Sequence, residues 1–283
     1  MVGRSVPLEL CLVTANADLA ARAENAGIER VLVDLETIGK AERQAGQSLF
    51  HSTHTLDDVC RLRSVLRDAK LMVRTNPLHE GSSEEVRAVL NAGADIVMLA
   101  MARSADNAVR FVDLIEGRAA VSILVENSEA LDDLPAIVRV AGVSEIHVGL
   151  NDLRLSLGFS LLFEPLLEGY VDQAAEVVHD AGLRFGFGGV ASPRTVNLPV
   201  RAERIIGEHV RLGAGLAWLG RSFRERVEGD TTGHTMREDV EAIRACARDW
   251  SGRAPEEFDA NREALAREVE AWRQSRSPTM AAT

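Results

Sequence analysis

The sequence is poor in several features that usually announce a function. It holds only three cysteines among 283 residues, Cys11, Cys60 and Cys246, far apart and odd in number. Such usage argues against a disulfide framework and makes a reducing cytoplasm the expected compartment. No cluster of Cys and His shows zinc spacing. No run of 18 apolar residues occurs, and the first residues lack a charged segment followed by a long apolar stretch, so neither a membrane span nor a secretory leader is expected. Net charge is −11 with no block of Lys and Arg. That argues against a nucleic-acid partner, whose affinity comes mostly from clustered positive charge. Internal repeats and low-complexity tracts are absent as well. What is present is ample core material, with 46% hydrophobic and 27% charged residues.

From residue 8 onward, short apolar runs alternate with stretches of helical period. The pattern predicts strands over Leu8–Val13, Val31–Asp34, Leu71–Arg74, Ile96–Ala100, Val121–Glu126, Glu145–Leu150, Phe185–Phe187 and Leu216–Leu219. Between them it predicts helices over Ala17–Ala26, Leu56–Leu66, Ser82–Asn91, Ala105–Ile115, Glu129–Val140, Glu164–Ala181 and Arg201–Leu212. Strands separated by helices run parallel, because a parallel partner needs a crossover. The runs are apolar on both faces, as strands covered by helices must be. Eight such units within residues 1–225 predict an α/β fold, a (β/α)8 TIM barrel carrying the active site. Residues 226–275 read as a C-terminal helical extension, which either reaches a neighbouring subunit or packs on its own barrel. Residues 276–283 have no pattern and are expected to be disordered.

A barrel of this kind places its chemistry at the C-terminal ends of the strands. That rule selects Asp34 and Glu36 after the second strand, Arg74 after the third, and Glu126 after the fifth. Asn151 and Asp152 follow the sixth, and Gly188 and Gly189 the seventh. Carboxylates crowded at one mouth repel each other unless a cation or a shared proton neutralises them. Glu126 and Asp152 are the best pair for a hard cation, Mg²⁺ or Mn²⁺, which often uses one or two protein carboxylates. Capping of the helices that follow is the alternative, and spacing alone leaves both open. Arg74 either grips a substrate carboxylate in bidentate fashion or forms a structural salt bridge. Asp34 and Glu36 point the same way on an extended strand. They either steer a water or act as base, or else link adjacent loops. His51 and His54, in the long polar loop from Gly39 to Thr55, are candidate acid–base groups. His209 reads as buried structure rather than as a catalyst. Gly188 and Gly189 permit close backbone approach to a ligand.

Several of these residues fall in motifs. Asp34-Leu35-Glu36 with Lys40 and Arg43, Val73-Arg74-Thr75-Asn76-Pro77, Gly93-Ala94-Asp95, Leu124-Val125-Glu126-Asn127-Ser128-Glu129, and Val148-Gly149-Leu150-Asn151-Asp152-Leu153 with Ser156-Leu157-Gly158 occur in order across residues 8–225. Together they resemble the HpcH/HpaI aldolase and citrate lyase β-subunit family. The resemblance implies a metal-dependent barrel that makes or breaks a carbon–carbon bond beside a carbonyl. It implies Mg²⁺ or Mn²⁺ on Glu126 and Asp152, with Arg74 on the substrate's carboxylate or carbonyl end. It also implies a homo-oligomer, trimeric or hexameric, with C-terminal helices exchanged between subunits. Thr37 departs from the pattern. The family's pyruvate aldolases carry a catalytic His there, and its citrate and malyl-CoA lyases an Asp.

The leading expectation is a lyase or aldolase acting on a small 2-oxo acid through a metal-stabilised enolate. Its base is a water steered by Asp34 and Glu36, or His51 or His54. A second reading is an acyl-CoA lyase of the malyl-CoA, citramalyl-CoA or citryl-CoA type, with Arg43, Arg194 and Arg221 as contacts for the CoA phosphates. A third is a non-catalytic ligand-binding barrel.

Overall fold

The computed structural model describes residues 7–43 and 53–276. Eight parallel strands, β1 Glu9–Val13, β2 Arg30–Asp34, β3 Lys70–Thr75, β4 Ile96–Leu99, β5 Ala120–Val125, β6 Val143–Val148, β7 Arg184–Val190 and β8 Leu216–Leu219, close into a barrel in chain order. The last strand pairs with the first, Glu9 lying opposite Leu216. This is the (β/α)8 barrel that the alternation predicts. Among the described residues no helix is long and apolar enough to cross a membrane.

Each strand sends alternate side chains outward to the helices and inward to the barrel axis. The outward set joins the helices in one large core. The inward set includes a smaller cluster of Cys11, Leu32, Met72, Ile96, Met98 and Leu124, so the interior is packed rather than open. At its N-terminal end the barrel is bridged by a buried ion pair. Arg30 Nη1 of β2 donates to both carboxylate oxygens of Glu145 on β6, at 2.8 and 2.9 Å.

The helix boundaries differ from the sequence expectation where the backbone imposes a break. The helix expected over Glu129–Val140 is two short ones, Ser128–Asp132 and Leu134–Ile137, the second opening with Pro135 in its first turn. A proline is well placed there and poorly placed in a helix interior. The helix expected over Glu164–Ala181 is divided into Glu164–Leu167 and Tyr170–Asp180 by Gly169, which sits at φ +82°. β6 ends two residues early because Leu150 already opens a helix, Leu150–Ser156. A helix Arg221–Glu228 follows β8 directly.

The C-terminal extension is two helices, His234–Ser251 and Pro255–Arg276. In this chain both pack on their own barrel rather than reaching away from it. Trp250, Phe258, Leu265 and Val269 are buried, and the helix Ala202–Arg211 is their support. Trp250 Nε1 donates to the Glu203 carbonyl at 3.0 Å. Gly207 makes that close fit feasible, since a Cβ there would stand 2.8 Å from the Trp250 ring. Arg276 belongs to the last helix; the remainder of the expected disordered tail lies outside the described residues.

β7 approaches β8 so closely that a Cβ on Gly186 would stand 2.3 Å from the Leu216 carbonyl oxygen. That neighbour is backbone in a closed sheet and cannot step aside. Replacing Gly186 by Ala should therefore cost about 2 kcal/mol or more, as overpacking does. Urea unfolding of the two proteins checks this, and an unchanged midpoint would count against the close approach.

Candidate active site

The C-terminal mouth of the barrel holds a cavity of about 300 Å³. Asp34, Lys40, Arg74, Glu126, Asn151, Asp152, Gly188 and Gly189 line it, together with Trp218, Arg221 and Arg224. The strand-end rule thus brings most of the residues read from sequence into one wall.

Glu126 lies one residue beyond β5 and is 2% exposed. It does not cap the helix after it. Asn127 does, accepting a hydrogen bond from the Ala130 amide at 2.9 Å. Asp152 is not a cap either, because it sits inside the helix Leu150–Ser156, whose N-cap is Gly149. The capping alternative therefore does not account for either carboxylate. Glu126 Oε1 accepts the Met101 amide at 2.9 Å, and among the described residues Glu126 forms no ion pair. Met101 holds that amide in place at φ +49°, an unusual conformation for a non-glycine residue. Gly149 makes room on the other side: a Cβ there would stand 2.8 Å from both Cβ and Oε2 of Glu126. Burial, followed by the nearby charges of Glu36 and Asp152, pushes the Glu126 carboxyl above its ordinary range, against the lowering effect of Arg74. A buried carboxylate held without a cation, next to further carboxylates, is a donor set that suits a divalent ion. Among the described residues no group of three or more His, Cys, Asp or Glu side chains that could hold a metal ion occurs.

The opposite arrangement surrounds Asp34. Arg74 donates to it through Nε and Nη2, both at 2.8 Å. Lys40 Nζ lies 2.7 Å from Asp34 Oδ2 and 3.5 Å from Glu36 Oε2. Arg43 pairs with Glu36, and its Nε lies 4.0 Å from Asp152 Oδ1. Burial raises the Asp34 carboxyl, but the Arg74 and Lys40 charges outweigh it and hold it well below the usual carboxylate range. Such a carboxylate is a weak base. The side-on fork of Arg74 is spent on Asp34, so of its two sequence readings the salt bridge is the one that forms, and the fork is not free for a bidentate grip on substrate. Nη1 remains, with no hydrogen bond among the described residues.

His54 stands behind this cluster, not among the residues lining the cavity. Its Nδ1 accepts the Asp34 backbone N–H at 3.0 Å. Burial lowers its pKa. The neutral ring therefore carries its proton on Nε2 and is a donor there, not a base. His51 lies outside the described residues. Asn151 lines the cavity, and its Oδ1 accepts from Arg154 Nη2 at 3.2 Å. Gly188 lies beside Trp218, and Gly189 at φ +93° meets Phe163. Arg194 is drawn away by Glu238 at 3.0 Å. His209 is fully buried, with Nδ1 and Nε2 against the carbonyls of Ile205 and Phe187.

Three site features escape the sequence reading. Lys40, named in a motif but given no role there, is buried between Asp34 and Glu36. Trp218 forms part of the cavity wall, with the Arg74 guanidinium 5.7 Å from its ring centroid. His147 stacks on Trp218 at 4.3 Å. The signal for the last two was the inward parity of β6 and β8, on which both residues fall.

Comparison with known proteins now bears on this geometry. The family model for HpcH/HpaI aldolase/citrate lyase matches residues 9–184. The chain belongs to that family. No curated protein matches it. Among solved structures, it is similar to an HpcH/HpaI aldolase from Desulfitobacterium hafniense, with TM-score 0.62 and 18% identity over 83% of this chain and 94% of that one. An HpcH/HpaI aldolase/citrate lyase family protein from Burkholderia cenocepacia gives TM-score 0.62 and 18% identity over 85% and 95% of the two chains. A citrate lyase β subunit from M. tuberculosis, complexed with oxaloacetate and magnesium, gives TM-score 0.59 and 16% identity over 86% and 98%. At such identities these likenesses speak for the fold alone.

Asp34→Asn should leave Arg74 and Lys40 short of charge and cost about 3 kcal/mol at pH 7. The folded pKa of Asp34 lies below its unfolded value, so its contribution is present above about pH 4 and fades below it. The stability gap between wild type and variant, from urea unfolding at pH 7 and pH 3, should narrow at the lower pH. A gap independent of pH would refute the ion-pair account.

Proposed function

We propose that this protein is a divalent-cation-dependent carbon–carbon lyase of the aldolase type, acting on a small 2-oxo acid. The observation that carries the reading is Glu126, a carboxylate at a cavity wall with no ion pair among the described residues, pushed toward protonation first by its burial and then by Glu36 and Asp152. Glu126 and Asp152 would hold Mg²⁺ or Mn²⁺. When bound, the cation supplies Lewis-acid stabilisation of the negative charge that develops on a ketone oxygen.

The remaining work falls to the chain's own groups. Arg74 Nη1 donates to a substrate oxygen that gains charge, and Asp34 fixes the plane from which it does so. Lys40 adds a second positive charge at the same wall. The amide nitrogen of Asn151 orients the carboxylate end. Leu12, Val13, Leu162 and Trp218 supply an apolar surface that excludes water from the reacting carbon. Asp34 anchors Arg74 in this scheme and does not accept the proton.

Exchange of the pyruvate methyl protons in D2O, followed by NMR, tests the reading without knowledge of the natural acceptor. Exchange should require Mg²⁺ or Mn²⁺ and stop in EDTA. Arg74→Gln should slow it by about 100-fold or more, the scale of losing one oxyanion donor. Full exchange in EDTA would sink the proposal.

Stability offers an independent readout of the same site. A carboxyl whose folded pKa is raised costs stability as pH rises above its unfolded value of about 4. Glu126→Gln removes that cost and keeps the acceptor for the Met101 amide. In EDTA at pH 8 the variant should therefore melt higher than wild type, and Mg²⁺ should raise the melting temperature of wild type only. A variant that melts lower, or that still responds to Mg²⁺, would contradict the assignment.

A further inference from the structure

Among the described residues that line the cavity, none belongs to the last helix, Pro255–Arg276. Two arginines of that helix nevertheless hold a piece of the cavity wall from behind. Asp152 and Leu162 both line the cavity. After Asp152 the chain leaves the helix Leu150–Ser156, turns at Gly158 with φ +76°, and reaches the four-residue helix Glu164–Leu167. A helix of one turn does not hold its own place, because nucleation is costly and few hydrogen bonds repay it. Glu164 fixes the entry to it. Its backbone N–H donates to the Leu161 carbonyl at 3.2 Å, and its carboxylate accepts the Leu161 N–H in return. That carboxylate is buried and pairs with Arg273 of the last helix. Arg262 holds the other end: Nη2 donates to the carbonyls of Leu166 and Leu167 at 3.3 and 3.4 Å, and Nη1 to Asp172 at 3.0 Å. The two arginines stand eleven residues apart, about three helical turns, and so face the same way.

The apolar lining on strands, Leu12, Val13, Val148, Trp218 and Leu219, is fixed by the sheet. Leu162 has no such support, and its neighbour Phe163 packs on the cavity-lining Gly189, where a Cβ would stand 2.7 Å from the ring. Without Arg273 the buried Glu164 carboxylate would lose an ion pair, and moving toward water would relieve it. Such a move draws Leu161 and Leu162 with it. We infer that Arg262 and Arg273 are positioning residues that brace this segment, and that Leu162, held by the brace, limits the side chain of the 2-oxo acid that the cavity admits. The substrate class is then a 2-oxo acid with a short, unbranched side chain. This inference rests on the proposed function for the nature of the ligand.

The test follows C3 proton exchange in D2O for pyruvate and for the bulkier 3-methyl-2-oxobutanoate, using the full-length protein with Mg²⁺. It reads the ratio of their kcat/KM values. The intrinsic acidities of the two acids differ, but that difference cancels when variants are compared with wild type. Leu162→Ala should shift the ratio toward the bulkier acid by about tenfold, the scale of a methylene or more in an apolar pocket. Arg273→Met, a change outside the cavity, should shift it the same way by about threefold or more. Arg273→Lys keeps the charge and should stay within about twofold of wild type. Arg276→Met is the control, since that guanidinium stands 5.2 Å from the Trp272 ring centroid, and its ratio should not move. A ratio unchanged in Leu162→Ala or in Arg273→Met overturns the inference, as does an equal shift in Arg276→Met.

Backbone hydrogen exchange without substrate, followed by mass spectrometry, reads the brace independently of activity. Arg273→Met should speed exchange by about tenfold over residues 159–167 and leave β1 to β4 as in wild type. Uniform acceleration, or none, overturns the brace. If wild type exchanges the C3 protons of neither acid, the lyase reading falls, and local deprotection in Arg273→Met still keeps the brace. Proton exchange of the acids with unchanged protection overturns the brace and keeps the lyase.

Discussion

Asp34 fixes the geometry of the mouth because one carboxylate holds two cations at once. Its two oxygens take Nε and Nη2 of Arg74, and one of them also takes Lys40. Taking such charges out of water costs several kcal/mol per ion, and only close, well-aligned pairing offsets it. The arrangement is consequently stiff. Arg74 is locked in one plane, its guanidinium stands over Trp218, and Trp218 in turn rests on His147. Loosening Asp34 would release the whole column, from the rim down to the barrel interior.

Two carboxylates on one rim are driven in opposite directions by what surrounds them. Asp34 is enclosed by cations and kept ionised far into acid. Glu126, equally buried, receives one neutral amide and faces other carboxylates. Divergent environments of this kind separate roles within a site. Here the separation is between a carboxylate that anchors two cations and one that has no ion pair among the described residues. The backbone is adapted to the second. Met101 adopts φ +49°, which costs roughly 1–2 kcal/mol for an L-residue, and directs its amide at Glu126. Gly149 gives up a side chain so that the carboxylate fits against the end of β6.

The alternation of apolar runs made the eight strands legible, because burial on both faces leaves a continuous hydrophobic signal. Glu126, Asp152 and Arg74 were legible for a related reason: each ends such a run, and the barrel topology turns a strand end into a site position. Lys40 was legible only as part of a motif; its burial was not, since a lysine in a polar loop looks the same whether it faces water or two carboxylates. Trp218 and His147 were hidden by their own strands, where an inward ring is indistinguishable from core. The breaks at Gly169 and Pro135 were missed because apolar periodicity continues across them, whereas backbone conformation does not. The motif resemblance pointed to the right family, yet it could not show that the Arg74 fork is spent on Asp34.

The two ends of the barrel complete the argument. Both contain buried charge, and charge buried without a partner is seldom tolerated. At the N-terminal end, buried Arg30 and Glu145 pair with each other, and Glu9 and Arg184 extend the network outward to solvent. At the C-terminal end the pairing stops short: Arg74, Lys40 and Arg43 are taken up by Asp34 and Glu36, while Glu126 is left with an amide. Nothing in the packing forces that difference, because an amide side chain at position 126 would accept the same hydrogen bond at lower electrostatic cost. A carboxylate kept there against its own stability is best understood by what it binds.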